Sequence, residues 1–196
     1  MDNPENQQIS NSAIDLIRAF AEIPPEPDYV LPGLRAQSIG AMVSPGGAGK
    51  SMAALEIGVS LASGYDLLDL GVYERQRVTY LPAEDPGEIV NERVHAIGKH
   101  MPLEYQQMAA EKLNVVPLVG KRGIDITSDK WIEPLIQIGQ KSRLIILDTL
   151  RRFHSHEEND SGAMSEVIKA LEHIAQHSGA SIIFTHHANK SASVIG

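Results

Sequence analysis

The sequence predicts an α/β fold, a mostly parallel sheet with helices on both faces, preceded by an N-terminal helical arm. Two observations predict it. Apolar runs at 39–43, 78–83, 113–118, 143–148 and 180–185 have the length and composition of strands, and segments of helical periodicity near 50–62, 87–99, 129–140 and 162–177 alternate with them. Such a rhythm implies right-handed crossovers, which keep the strands parallel and cover both faces of the sheet. The second observation is a glycine-rich turn at 44–51, set between the first of those strands and the first of those helices. In a sheet of this kind, ligands gather at the carboxyl ends of the strands.

The arm comes first in the chain. Residues 10–22 carry Ile14, Ile17 and Ala21 on one helical face with Leu16 and Phe20 beside it, and Pro24, Pro25 and Pro27 stop the helix. This divides the chain into a helix and proline-rich linker over 1–34 and a core over 35–196. An amphipathic helix on a stiff tether either folds back on its own core or docks on a neighbouring subunit.

With 196 residues the chain is long enough for one α/β domain with a sizeable core and too short for two of ordinary size. No apolar stretch is long enough to span a bilayer, and the polar, acidic start lacks the apolar run of a signal peptide. No cysteine occurs, which excludes disulfides and thiolate metal sites. A cytoplasmic protein with no membrane partner is expected. Seventeen Lys and Arg against 25 Asp and Glu leave a net charge of −8, which argues against holding nucleic acid by bulk electrostatics. A local basic channel is still allowed, although the longest basic run is Arg151-Arg152.

The turn reads Ser44-Pro45-Gly46-Gly47-Ala48-Gly49-Lys50-Ser51. A strand that delivers a glycine-rich turn to a helix N-terminus aims unpaired backbone N–H groups and the helix dipole at phosphate oxygens. Gly46, Gly47 and Gly49 let the backbone curl round the phosphates, Lys50 reaches the β- and γ-phosphates, and the Ser51 hydroxyl can ligate Mg²⁺. ATP with Mg²⁺ is the expected ligand. One departure from the GxxxxGK[ST] pattern is Ser44, where glycine usually stands.

Other strand ends carry matching chemistry. The run Arg143-Leu144-Ile145-Ile146-Leu147-Asp148 ends in a carboxylate placed as in a Walker B segment, where Asp148 would hold Mg²⁺ through water beside Ser51. Glu84 and Asp85 follow the strand 78–83; Glu84, first off the strand and longer, is the candidate that orients the attacking water, and Asp85-Pro86 would cap the next helix. His186 and His187 follow a strand on which neighbours point to opposite faces, so one imidazole is expected at the γ-phosphate and a paired metal site is not. Arg93 could stack on the adenine, and Arg151 or Arg152 could touch phosphate, a neighbour or DNA; for each, a solvated surface arginine is the favoured reading. Trp131 opens an amphipathic helix and is assigned to the core, and the polar loop 154–162 is a candidate mobile element.

The segments Asp28-Tyr29-Val30-Leu31-Pro32, Ser44 to Ser51, Tyr80 to Pro86, Leu147 to His154 and His186-His187-Ala188 resemble the RepA family of hexameric replicative helicases of broad-host-range plasmids. More distantly the chain is similar to the wider RecA-like ATPase group. The resemblance runs in order from about residue 12 to the end, and Ser44 is shared with the family. It implies a RecA-like P-loop NTPase core, ATP with Mg²⁺, a ring of six subunits, and unwinding of DNA at a plasmid origin. It also implies Lys50 and Ser51 as phosphate and Mg²⁺ contacts, Glu84 as the catalytic carboxylate, Asp148 as the Walker B acid and His187 as the γ-phosphate sensor. The N-terminal helix is implied to pack on the adjacent subunit.

Members of that family continue past the histidine pair into strands that supply an arginine finger and DNA-contacting surface. Here the sequence ends at Gly196, so those C-terminal strands are expected to be missing and hydrolysis to be weak. A nucleotide-binding sensor or assembly module without helicase activity is the alternative. A small-molecule kinase is disfavoured, since no arginine-rich lid segment follows.

Overall fold

The computed structural model describes residues 13–72 and 74–188. Its frame is a five-stranded parallel sheet made of β3 (Ile39–Ser44), β4 (Val78–Pro82), β5 (Leu113–Val115), β6 (Leu144–Asp148) and β7 (Ser181–His187), in the spatial order β3-β7-β6-β4-β5. The helices α2 (Lys50–Ser63), α3 (Gly87–Gly98), α4 (Leu103–Lys112), α5 (Asp129–Gly139) and α6 (Ser161–Ser178) surround it. β4 and β6 are buried at every residue, as the central strands of a sheet covered on both faces must be.

Alternate residues of these strands feed two apolar cores. Val78, Tyr80, Leu144 and Ile146 face Leu55 and Val59 of α2, Val90 and Ile97 of α3, and Ala109 of α4. Leu81, Ile145, Leu147 and Phe184 face Leu135 of α5 and Val167, Leu171 and Ile174 of α6. The chain moves outward from β3 to β4 and β5, then turns back to β6 and β7. With right-handed crossovers, that reversal transfers the connecting helices to the opposite face. The α/β architecture with helices on both faces is therefore as the sequence predicts.

Two elements were not expected. β1 (Tyr29–Leu31) and β2 (Leu34–Arg35) form an antiparallel hairpin turned at Gly33, whose φ of 83° suits glycine. Strands this short have no readable period, yet Val30 and Leu34 are buried in the α2-side core. The other element is α4, of sequence LEYQQMAAEK, in which only Ala109 is buried. Its polar composition conceals the helical period, and it lies against α2. β5 ends at Val115, earlier than expected, although Val116 N–H and Leu118 N–H still donate to Tyr80 O and Pro82 O at 2.9 and 2.7 Å across Pro117.

The arm contains α1 (Leu16–Ala21), capped by Asp15, whose carboxylate accepts the Arg18 N–H at 3.1 Å. Residues 10–12 of the expected helix lie outside the described residues. Ile14, Leu16, Ile17, Phe20 and Ile23 are all exposed. Loop 154–162 is tied at both ends: Ser155 Oγ donates to Asp125 Oδ2 at 2.7 Å, and Asp160 caps α6 by accepting Gly162 N–H at 2.8 Å.

α6 lies close against α5 at Gly139, where an added Cβ would lie 2.4 Å from Ser178 Cβ. Gly139→Ala should therefore destabilise by roughly 1–3 kcal/mol, more than the helix propensity of about 1 kcal/mol that alanine returns. Gly98→Ala, whose Cβ would meet its nearest neighbour, the Gln106 side chain, at 3.7 Å, should leave stability unchanged or raise it. Urea unfolding of the two variants measures the contrast.

Candidate functional site

The loop Ser44 to Ser51 joins β3 to α2 at the carboxyl edge of the sheet. Gly47 and Gly49 take left-handed φ angles of 76° and 84°, and Gly49 caps α2 with no side-chain hydrogen bond. The first N–H groups of α2 are thus left without a side-chain partner, as an anion site at a helix N-terminus requires. The Lys50 ammonium turns back into the loop and donates to Ser44 O at 2.7 Å, Pro45 O at 2.9 Å and Ser44 Oγ at 3.2 Å.

Strand register brings the other chemistry to this loop. β7 lies beside β3 with His187 opposite Ser44, and β6 lies on its other side. His187 Nδ1 stands 3.4 Å from Lys50 Nζ, and an added Cβ on Gly46 would lie 3.7 Å from it. His186, one residue earlier on the strand, faces away towards Glu158 at 3.7 Å. Glu84 sits between an imidazole and a guanidinium, its Oε2 at 3.7 Å from His187 Nε2 and its Oε1 at 3.9 Å from Arg152 Nε.

Asp148, 3% exposed, ends β6 at the floor of the cleft. Its carboxylate accepts hydrogen bonds from Ser51 Oγ at 3.1 Å, Thr185 Oγ1 at 2.6 Å and Tyr80 Oη at 2.5 Å. Burial, and then the Asp148 charge beside it, raises the Tyr80 phenol above the ordinary tyrosine range, so it stays a donor. Ser51 Oγ and Asp148 form an oxygen-only donor pair of the kind Mg²⁺ accepts alongside water and phosphate oxygens. Among the described residues, no three His, Asp or Glu side chains cluster as a protein-only metal cage.

Gly47, Ala48, Gly49, Lys50, Ser51, Glu84, Asp85, Arg93, Asp148, Thr185 and His187 line one cleft of about 350 Å³. A family model described as AAA domain matches residues 5–193. The chain belongs to this AAA domain family. It is accordingly a P-loop ATPase domain with a RecA-like core, and nucleotide binding belongs to that family. No helix among the described residues of this AAA domain is long and apolar enough to cross a membrane.

Asp85 and Arg93 differ from the sequence expectation. Pro86, not Asp85, occupies the N-cap of α3, and Asp85 instead accepts Arg93 Nη1 at 2.6 Å inside the cleft. Partial burial opposes the charge on Arg93, but the Asp85 hydrogen bond and charge outweigh it and raise its pKa. Arg93 is therefore an ion-paired wall of the cleft, not a solvated surface arginine. Arg151 turns its guanidinium to His154 O at 3.3 Å, while Arg152 faces Glu84.

Sequence reading missed Tyr80 and Thr185, which steady Asp148. Their signal was faint: one of two hydroxyls in each of two largely apolar strands that flank β6 in space. Tyr80→Phe removes one donor from a buried carboxylate and should cost about 1.5–3 kcal/mol, measurable by urea unfolding.

Proposed function

We propose that this chain is the ATP-binding and ATP-hydrolysing subunit of a hexameric replicative DNA helicase acting in plasmid replication. The observation that carries the reading is the meeting of Lys50, Ser51, Glu84, Asp148 and His187, drawn from four separate strand ends, in one cleft. Its helicase part rests on the resemblance of the ordered motifs to the plasmid RepA family.

In this reading the loop N–H groups and Lys50 cradle the phosphates, and Ser44, Pro45 and Gly46 shape the approach. Ser51 and Asp148 would hold Mg²⁺, which neutralises charge on the β- and γ-phosphate oxygens when bound. Glu84 orients the attacking water and accepts its proton, and its position between His187 and Arg152 sets the carboxylate at the rim of the cleft. His187, in reach of both Lys50 and Glu84, hydrogen-bonds the γ-phosphate and registers its loss. Arg93 supplies a planar face towards the base side of the cleft. The loop beyond Ala188, which would carry that signal onward, lies outside the described residues.

Lys50→Ala should lower ATP hydrolysis by roughly 10²–10³-fold. Glu84→Gln should lower it by roughly 10²–10⁴-fold while ATP binding is retained. DNA-stimulated phosphate release measures both; a parent that hydrolyses ATP at the same rate as either variant would refute these roles.

The exposed apolar face of α1 supports assembly into a ring, since Ile17 and Phe20 find no partner within the described chain. In this reading α1 docks on the adjacent subunit. Ile17→Glu with Phe20→Glu should convert a ring into smaller species by mass measurement with ATP and DNA present. A parent that stays monomeric and shows no DNA affinity at low salt would sink the helicase reading.

A further inference from the structure

Next to the nucleotide cleft, along the same carboxyl edge, lies a second cleft of about 550 Å³. Glu84 lines both. The loop after β5 contributes Lys121 to its wall, and the segment after β6 contributes Arg151, Arg152 and His154. These two segments are fastened to each other before any ligand arrives. Ile126 N–H donates to Phe153 O at 2.8 Å, and Ser155 Oγ donates to Asp125 at 2.7 Å. The cleft is therefore a built feature of the fold.

Its most telling group is His154, which is 4% exposed. Neither ring nitrogen reaches a hydrogen-bond partner at normal geometry, a weak approach to the backbone of His156 aside. Buried polar groups are nearly always paired, and one that is not marks a place where a partner belongs. Burial, followed by the charge of Arg151, lowers the pKa of this imidazole, so near neutral pH it offers one donor and one acceptor nitrogen. Three cations and one carboxylate line the cleft with it, in a chain whose net charge is −8, and Glu158 also acts on the imidazole.

The carboxylate is the divider between the clefts. Glu84 Oε2 faces His187 on the nucleotide side, and Oε1 faces Arg152 on the other. We infer that the second cleft receives the inorganic phosphate released by ATP hydrolysis, which passes Glu84 and rests against Lys121, Arg151, Arg152 and His154 before it leaves. This rests on the ATPase reading of the first cleft. Hydrogen phosphate suits the donor set: its oxygens accept from the guanidinium and ammonium groups that line the cleft, and the buried His154 imidazole beside them registers its arrival. With ADP still on the loop, a route past Glu84 lets phosphate depart first without retracing the path by which ATP entered.

The test uses the full chain saturated with ADP and Mg²⁺, so that the phosphate loop is already filled. Inorganic phosphate is titrated in while the His154 ring resonances are followed by NMR. The expected result is a saturable shift of His154, with phosphate affinity about tenfold weaker or worse in Lys121→Glu and ADP affinity unchanged. Lys121 is exposed, so the substitution leaves the fold intact. In single-turnover hydrolysis, the same variant should change the rate of phosphate appearance in solution while leaving the cleavage step alone. If ADP binds but phosphate fails to move His154, or binds Lys121→Glu as well as the parent, the exit site is wrong and the ATPase reading stands. If ADP itself does not bind, both fall.

Discussion

The buried carboxylate of Asp148 is the point on which the site depends. It ends a strand that is buried throughout, and a charge placed there is tolerated only with hydrogen bonds to satisfy it. Three hydroxyls do so, from Tyr80 on β4, Thr185 on β7 and Ser51 at the start of α2. Each donor comes from a different element, so the same carboxylate that prepares a cation site also pins the two neighbouring strands and the phosphate-loop helix in register. Chemistry and fold are held by one group.

Strand order explains why this point is also the centre of the cleft. β7 separates the phosphate-loop strand β3 from β6, so the Asp148 carboxylate and the His187 imidazole reach the loop from adjacent strands. The alternation of side chains along β7 turns His187 to the loop and His186 to Glu158. Glu84, just beyond the other neighbour of β6, completes the arc and stands at its outer rim. A carboxylate in that position meets one cleft with each oxygen. The second cleft is therefore a consequence of where β4 sits in the sheet, not an unrelated hollow.

Much of this was legible in the sequence because it is local. The phosphate loop, the apolar strand ending in Asp148 and the paired histidines each declare themselves within a few residues, and the five core strands fall on apolar runs of five or six residues. The hairpin of β1 and β2 was not legible, since its strands of three and two residues are held by the burial of Val30 and Leu34 against distant helices. Nor was α4, whose polar surface conceals its period. Arg93 looked like a surface cation because its partner, Asp85, is eight residues away across the turn that opens α3.

The sequence by itself determined the fold class, the phosphate loop and the identity of the acidic and histidine groups at the strand ends, because strand and helix periods and the glycine turn are encoded in contiguous residues. Only the tertiary structure decided which of these groups meet. Tyr80 and Thr185 became supports of Asp148, and Lys121 and His154 came to line one cleft, through the pairing of strands far apart in the chain. Neighbours across a parallel sheet are set by strand order and register, and these follow from the packing of helices on both faces. No local pattern carries that information.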